Sequence, residues 1–158
     1  MFPSGEQTGL MAEPPYRIWI AEDNPADVYL IEEALRRHQF AYRLETADNG
    51  EDMLKMIAGI DQDPSLSCPD LFLIDLNLPR RPGDEVLARI RQSSRCAHVP
   101  AIVITSSDSP KDRARARELG ASFYFRKPAD LERFMAIGGI VRDFLETRTG
   151  GVPHTSIC

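Results

Sequence analysis

No apolar run in the 158-residue chain approaches the roughly 20 residues of a membrane-spanning helix. Positive charge is not in excess: 24 acidic against 19 basic residues give −5 at pH 7, which disfavours coating a nucleic acid. The opening Met1-Phe2-Pro3-Ser4-Gly5-Glu6 has neither the basic nor the apolar region of a secretory signal. Cysteine is scarce, and Cys68, Cys96 and Cys158 are odd in number, far apart and without a Cys-x-x-Cys pair. A reducing cytoplasm is the simplest home for them, with Cys68 and Cys96 read as small packing thiols. His38, His98 and His154 are scattered without metal-ligand spacing and read as surface or helix-end residues. There is no internal repeat and no low-complexity block. These absences leave one soluble, intracellular domain, with no membrane and no nucleic acid among its expected partners. At this length such a domain buries roughly 70% of its unfolded surface and needs no metal or disulfide to hold a core.

The polar residues 1–15 read as a flexible leader, within which Met11 is a candidate true start, and 148–158 read as a flexible tail. Between them, strand and helix signatures alternate. Tyr16–Ala21 is β-rich and stops at Glu22-Asp23-Asn24-Pro25, where Asn24 suits a helix N-cap and Pro25 the first helical position. Tyr42–Thr46 reads as a second strand, and Asp48 with Glu51 are spaced as a capping box for the next helix. The continuous apolar Leu71–Ile74 predicts a strand buried on both faces, ending at Asp75. Gly83 introduces a helix, Ala101–Thr105 is a fourth strand, and Ser109-Pro110 opens a helix that closes at Gly120. Ser122–Arg126 is a fifth strand, and one last helix carries Leu131, Phe134, Ile137, Val141 and Phe144. Five strands alternating with five helices predict an α/β, doubly wound parallel sheet in the order 2-1-3-4-5.

Ligands of such sheets sit beyond the carboxyl ends of the strands, where the strand order reverses. That point lies between the first and third strands, so Glu22, Asp23 and Asp75 converge. Taken singly, an acid at a strand end is more often a solvated loop residue or a cap. Two carboxylates about 4 Å apart repel by roughly 4 kcal/mol at an effective dielectric of 20, so a cluster calls for a cation or raised pKa values. All-oxygen ligands suit Mg2+ with retained waters. Thr105 and Lys127 open onto the same edge, and a hydroxyl and an ammonium facing a metal-loaded cluster suit a dianionic tetrahedral group.

With these residues in order, the chain resembles the receiver domains of bacterial two-component response regulators. The likeness spans Tyr16 to Glu146 and rests on Glu22-Asp23-Asn24-Pro25, on Leu73-Ile74-Asp75-Leu76-Asn77-Leu78-Pro79 with Gly83, on Val103-Ile104-Thr105-Ser106, and on Gly120 through Lys127-Pro128. The resemblance implies that Asp75 is the phosphoacceptor, fed by a sensor histidine kinase or histidine phosphotransfer protein. It implies that Glu22, Asp23, Asp75 and the backbone carbonyl of Asn77 hold Mg2+. Lys127 and Thr105 would bind phosphoryl oxygens, Tyr124 would report the phosphorylated state, and the Lys127-Pro128 bond would be cis, which X-Pro allows. The wording Leu76-Asn77-Leu78-Pro79 and Asn24-Pro25-Ala26-Asp27 is similar to stand-alone receivers that accompany histidine kinases, phytochrome-type sensors among them.

Glu22-Asp23 departs from the commoner Asp-Asp pair, and Arg80-Arg81-Pro82 makes the loop after Asp75 basic. Asn77 and Ser107, each two residues beyond a site residue, are placed to modulate hydrolysis of the phosphoryl group. Lys111, Arg113, Arg115 and Arg117 spread around their helix and read as a solvated face. Phe123 and Phe125 share one side of the last strand and should pack under a helix, while that edge strand leaves room for a homodimer through the fourth helix, fifth strand and last helix. Two other readings compete: a small Mg2+-dependent phosphatase with Asp75 as nucleophile, and a receiver-shaped module that is never phosphorylated. The first lacks a general acid two residues on, where Asn77 stands; the second is opposed by the intact acids, threonine and lysine.

Overall fold

The computed structural model describes residues 15–148. Met11 and nearly all of the expected leader and tail lie outside the described residues. Among the described residues, five strands and six helices follow one another as β1 (Tyr16–Ala21), α1 (Pro25–Arg36), β2 (Tyr42–Ala47), α2 (Gly50–Gln62), β3 (Leu71–Ile74), α3 (Gly83–Gln92), β4 (Ala101–Thr105), α4 (Pro110–Glu118), β5 (Phe123–Arg126), α5 (Leu131–Phe134) and α6 (Ala136–Arg148). All strand pairs are parallel, in the order β2-β1-β3-β4-β5. No described helix is long and apolar enough to cross a membrane.

The period-two alternation of side chains divides the sheet between two cores. Trp19, Phe72, Ile74, Val103 and Tyr124 face α2, α3 and α4, meeting Met53, Ile57, Val86, Leu87, Ile90 and Ala116. Ile18, Ile20, Leu71, Leu73, Ile102, Ile104 and Phe125 face α1, α5 and α6, meeting Ile31, Leu35, Phe134, Ile137 and Val141. Phe123 and Phe125 pack edge-on to Phe144 and Phe134, as their shared side predicts. The central strands β3 and β4 are buried along their whole length, which explains their unbroken apolar sequences.

Asn24 caps α1, accepting from Ala26 N at 2.9 Å with Pro25 first in the helix. Ser109 caps α4 in the same way, and the chain leaves that helix through Gly120, whose φ of +91° belongs to the left-handed region that glycine enters without strain.

Four expectations need correction. The cap of α2 is Asn49, not Asp48: its side chain accepts from Asp52 N at 2.8 Å. Gly50 then starts the helix against the loop after β3, where a Cβ would collide with the carbonyl of Arg81. The single last helix is two, because the chain turns at Met135. That turn seats Gly138 against the carbonyl of Ala34, too close for any side chain, with His38 alongside. His38 is thus half-buried at a helix end, its Nδ1 3.1 Å from Arg142 Nη1.

Cys68 and Cys96 are not separate thiols but a disulfide, with Cα atoms 5.7 Å apart. Their sequence separation of 28 hid the pair, since the chain enters β3 and leaves α3 at the same end of the sheet. The packing role survives for Cys96, which is fully buried, but the case for a reducing compartment does not follow from this pair. Finally, every peptide bond among the described residues is trans, Lys127-Pro128 included. An X-Pro amide favours trans by about 0.5–1 kcal/mol unless its surroundings oppose it, and the trans bond already lets Lys127 reach its partners.

Candidate functional site

At the carboxyl end of β1 the chain passes into Glu22, buried, and Asp23, exposed. Glu22 N still donates to Ala47 O, so the sheet ladder fixes the backbone here. Asp75 follows β3 in the same manner, its N–H bonded to Ala21 O at 3.0 Å and its side chain 6% exposed. Gly83, the first residue of α3, lies directly on the backbone of Asp75 and Leu76, where a Cβ would overlap the Asp75 carbonyl. The glycine eight residues past the acid is therefore required by close packing.

One carboxylate oxygen from each of Glu22, Asp23 and Asp75 lies within 4.8 Å of the others. Lys127, just past β5, is anchored by its N–H to Thr105 O at 2.7 Å and sends Nζ into the cluster. The ammonium donates to Glu22 Oε1 at 2.8 Å, Asp27 Oδ2 at 2.7 Å and Asp75 Oδ2 at 3.1 Å. Glu22 Oε2 accepts from Asn24 N and Asp75 Oδ1 from Asn77 N. Burial pushes the Glu22 carboxyl up to about 7, Lys127 opposing and the Asp75 charge reinforcing the shift. Burial alone would lower Lys127, but hydrogen bonds to Asp27 and Glu22 and the charges of Asp75 and Glu22 hold it above its usual value. Three carboxylates thus share one ammonium, with Asp23 beside them, and the local charge stays negative.

The structure brings together four of the residues singled out in the sequence: Glu22, Asp23, Asp75 and Lys127. It adds Asp27, whose position in the first turn of α1 points it back over the sheet end; its signal was the helix start fixed by Asn24 and Pro25. Thr105 is fully buried at the end of the neighbouring strand, its Oγ1 accepting from Ser107 N at 3.2 Å. Ser107 itself turns toward α4, where its hydroxyl donates to Asp112 and accepts from Ser109 N. Tyr124 lies on the α4 side of the sheet, almost wholly buried, and its hydroxyl donates to Ser107 O at 3.2 Å. The Arg113 guanidinium stands 4.3 Å from the centre of its ring. Arg113 is therefore not simply solvated, whereas Arg115 is exposed as expected and lies 3.8 Å from Asp84. Asn77 is exposed beside Asp75. The basic loop is matched by acids at the surface, Arg80 with Glu51 and Arg81 with Glu85.

Comparison with known proteins gives the same picture. The family model of the response regulator receiver domain matches residues 18–137. The chain is 32% identical over 139 residues to Response regulator Rcp1 of Synechocystis sp., covering 87% of this chain and 95% of that protein. Among solved structures it is similar to the phosphorylated cyanobacterial phytochrome response regulator RcpA, with a TM-score of 0.77, 30% identity, and coverage of 89% and 100%. It is also similar to the Mn2+-bound form of Rcp1, with a TM-score of 0.73, 31% identity and the same coverage. The chain belongs to the response regulator receiver domain family.

Proposed function

We propose that this protein is a single-domain response regulator whose Asp75 accepts a phosphoryl group from a phosphohistidine of a sensor kinase or phosphotransfer protein. The observation that carries the reading is the Lys127 ammonium held between Asp75 and Glu22 at the mouth of the β1–β3 crevice. A positive group beside a buried acceptor carboxylate is what an incoming dianion needs, because phosphoryl transfer depends on positioning and charge neutralisation.

The donor set fits a hard divalent cation. Three carboxylates supply oxygen ligands within 4.8 Å of one another, and Asp23 is open to water. Glu22, Asp23, Asp75 and the carbonyl of Asn77 would hold Mg2+. When bound, the cation supplies charge that offsets repulsion between Asp75 and the donor. The solved relatives fit this assignment, one carrying Mn2+ and one phosphorylated.

An Asp75 carboxylate oxygen attacks phosphorus, the bond from phosphorus to the partner's imidazole nitrogen breaks, and an acyl phosphate remains on Asp75. Lys127 donates to the new phosphoryl oxygens. The Thr105 hydroxyl leaves Ser107 N to donate to one of them, and Tyr124 gives up Ser107 O as the β4–α4 turn shifts. Such a shift changes the α4–β5–α6 surface offered to a downstream protein or a second copy, and its extent follows the differential affinity of the two states for the phosphoryl group. Asn77 and Ser107 border this path as modulators, with Pro128 fixing the chain after the lysine. A cytoplasmic home accompanies this reading, since sensor kinases transfer phosphoryl groups there. Signalling by stoichiometric modification, not turnover, distinguishes it from the phosphatase alternative.

Acetyl phosphate with Mg2+ should add one phosphoryl group to the wild type and none to Asp75→Asn, read by intact mass. Turnover of p-nitrophenyl phosphate beyond one equivalent would favour the phosphatase.

A further inference from the structure

Asp27 lies outside the three-acid cluster and none of the roles read from the sequence falls on it, yet it makes the shortest contact to Lys127. Its Oδ2 lies 2.7 Å from Nζ, against 2.8 Å for Glu22 and 3.1 Å for Asp75. An ammonium has three protons to donate, and these three carboxylates take all of them. Asp27 is held in place by the start of α1, its N–H bonded to Asn24 O, and its side chain is 19% exposed. An acid in the first turn of a helix also interacts favourably with the helix dipole. That interaction requires no lysine from 100 residues away, so the dipole alone does not explain the contact.

We propose that Asp27 is a standing counter-ion of Lys127, a positioning residue that competes with the phosphoryl group for the ammonium and so limits how tightly the pocket holds it. The proposal rests on the reading of Asp75 as the acceptor. Two effects act in the same direction. Asp27 occupies one of the three donor protons of Lys127, drawing Nζ toward α1. Its charge also adds to the repulsion felt by any dianion at Asp75. A cation drawn to Glu22, Asp23 and Asp75 offsets their charge, while Asp27 lies outside that group and keeps its hold on the lysine.

The test uses the full chain with Mg2+ and beryllofluoride, a stable mimic of the phosphoryl group, followed by amide spectra and calorimetry. Asp27→Asn should bind the mimic about tenfold more tightly than the wild type, with Asp27→Ser behaving alike. Asp27→Glu should return to the wild-type affinity. The advantage of Asp27→Asn should shrink as salt is raised, because it comes from charge; a structural role would not produce that dependence. Equal or weaker binding by both neutral variants, or a gap indifferent to salt, overturns the counter-ion role. If the wild type neither binds beryllofluoride nor takes a phosphoryl group from acetyl phosphate, the acceptor reading itself fails. Wild-type labelling without a gain in the variants sinks only the role of Asp27.

Discussion

The two ends of the sheet hold their charges in opposite ways. At the carboxyl end, three acids hold one lysine, a fourth stands beside them, and the local charge remains negative. At the amino end, arginines satisfy loop carbonyls and a disulfide ties the loops together. Arg95 donates to the carbonyls of Ile60, Asp63 and Leu66, Arg17 to those of Ser67 and Cys68, and Arg91 to those of Ala97, Val99 and Gly120. Asp61 there has Arg89, Ser93 and Ser94 around it, all donors. One end is short of positive charge until a cation arrives; the other is balanced as it stands. A receiver needs that division, since a ligand can shift an equilibrium only where its binding changes the energy. The satisfied end keeps the strands that aim Asp75 and Lys127 in register.

The comparison can be broken from either end, and the largest effect is expected at the lysine. Lys127→Met leaves Glu22 and Asp75 buried without their ammonium, so labelling by acetyl phosphate should fall at least about 100-fold. Metal-free stability should drop by about 3–5 kcal/mol, measured by urea unfolding, and Mg2+ should recover part of it. At the other end, reduction of Cys68–Cys96 removes a cross-link across 28 residues and should cost about 3–4 kcal/mol on loop-entropy grounds, near 10 °C in Tm. Labelling of Asp75 at room temperature should be unchanged, which makes the two ends separable. Arg95→Ala, which strands three carbonyls, should cost about 2–3 kcal/mol in the same unfolding assay.

The smallest and most diagnostic effect is in pH. Glu22 has its folded pKa raised to about 7, so the folded state binds the proton more tightly and metal-free stability should decline as pH rises from about 4.5 through 7. Asp61 behaves in the opposite sense. Hydrogen bonds from Ser93 lead in lowering it to about 2, with Arg89 and Ser94 adding to them. Its contribution is present above about 4 and is lost as pH falls toward 2. Glu22→Gln should flatten the first slope and Asp61→Asn the second, in thermal melts across pH; an unchanged slope in either variant contradicts the corresponding assignment.

Much of this was legible in the sequence because strand and helix periods differ. The apolar runs at Leu71–Ile74 and Ala101–Thr105 fixed the central strands, and the order 2-1-3-4-5 placed Glu22, Asp23 and Asp75 at one crevice. What stayed hidden depends on contacts between distant segments. Nothing near Cys68 or Cys96 signals that their loops meet. The break at Met135 seats Gly138 against α1, a packing fact without a local mark. Asp27 was visible as a helix-start acid, but its partner is Lys127, across the sheet end. Ser107 follows Thr105 by two residues, yet the turn into α4 directs its hydroxyl to Asp112.

Sodium borohydride reduction of the protein treated with acetyl phosphate and Mg2+, followed by peptide mass mapping, tests the acceptor position most directly. Reduction of an aspartyl phosphate leaves homoserine, which is expected at position 75 alone. Homoserine at position 23 or 27, or phosphate that survives on a serine or threonine while Asp75 stays unmodified, would contradict it.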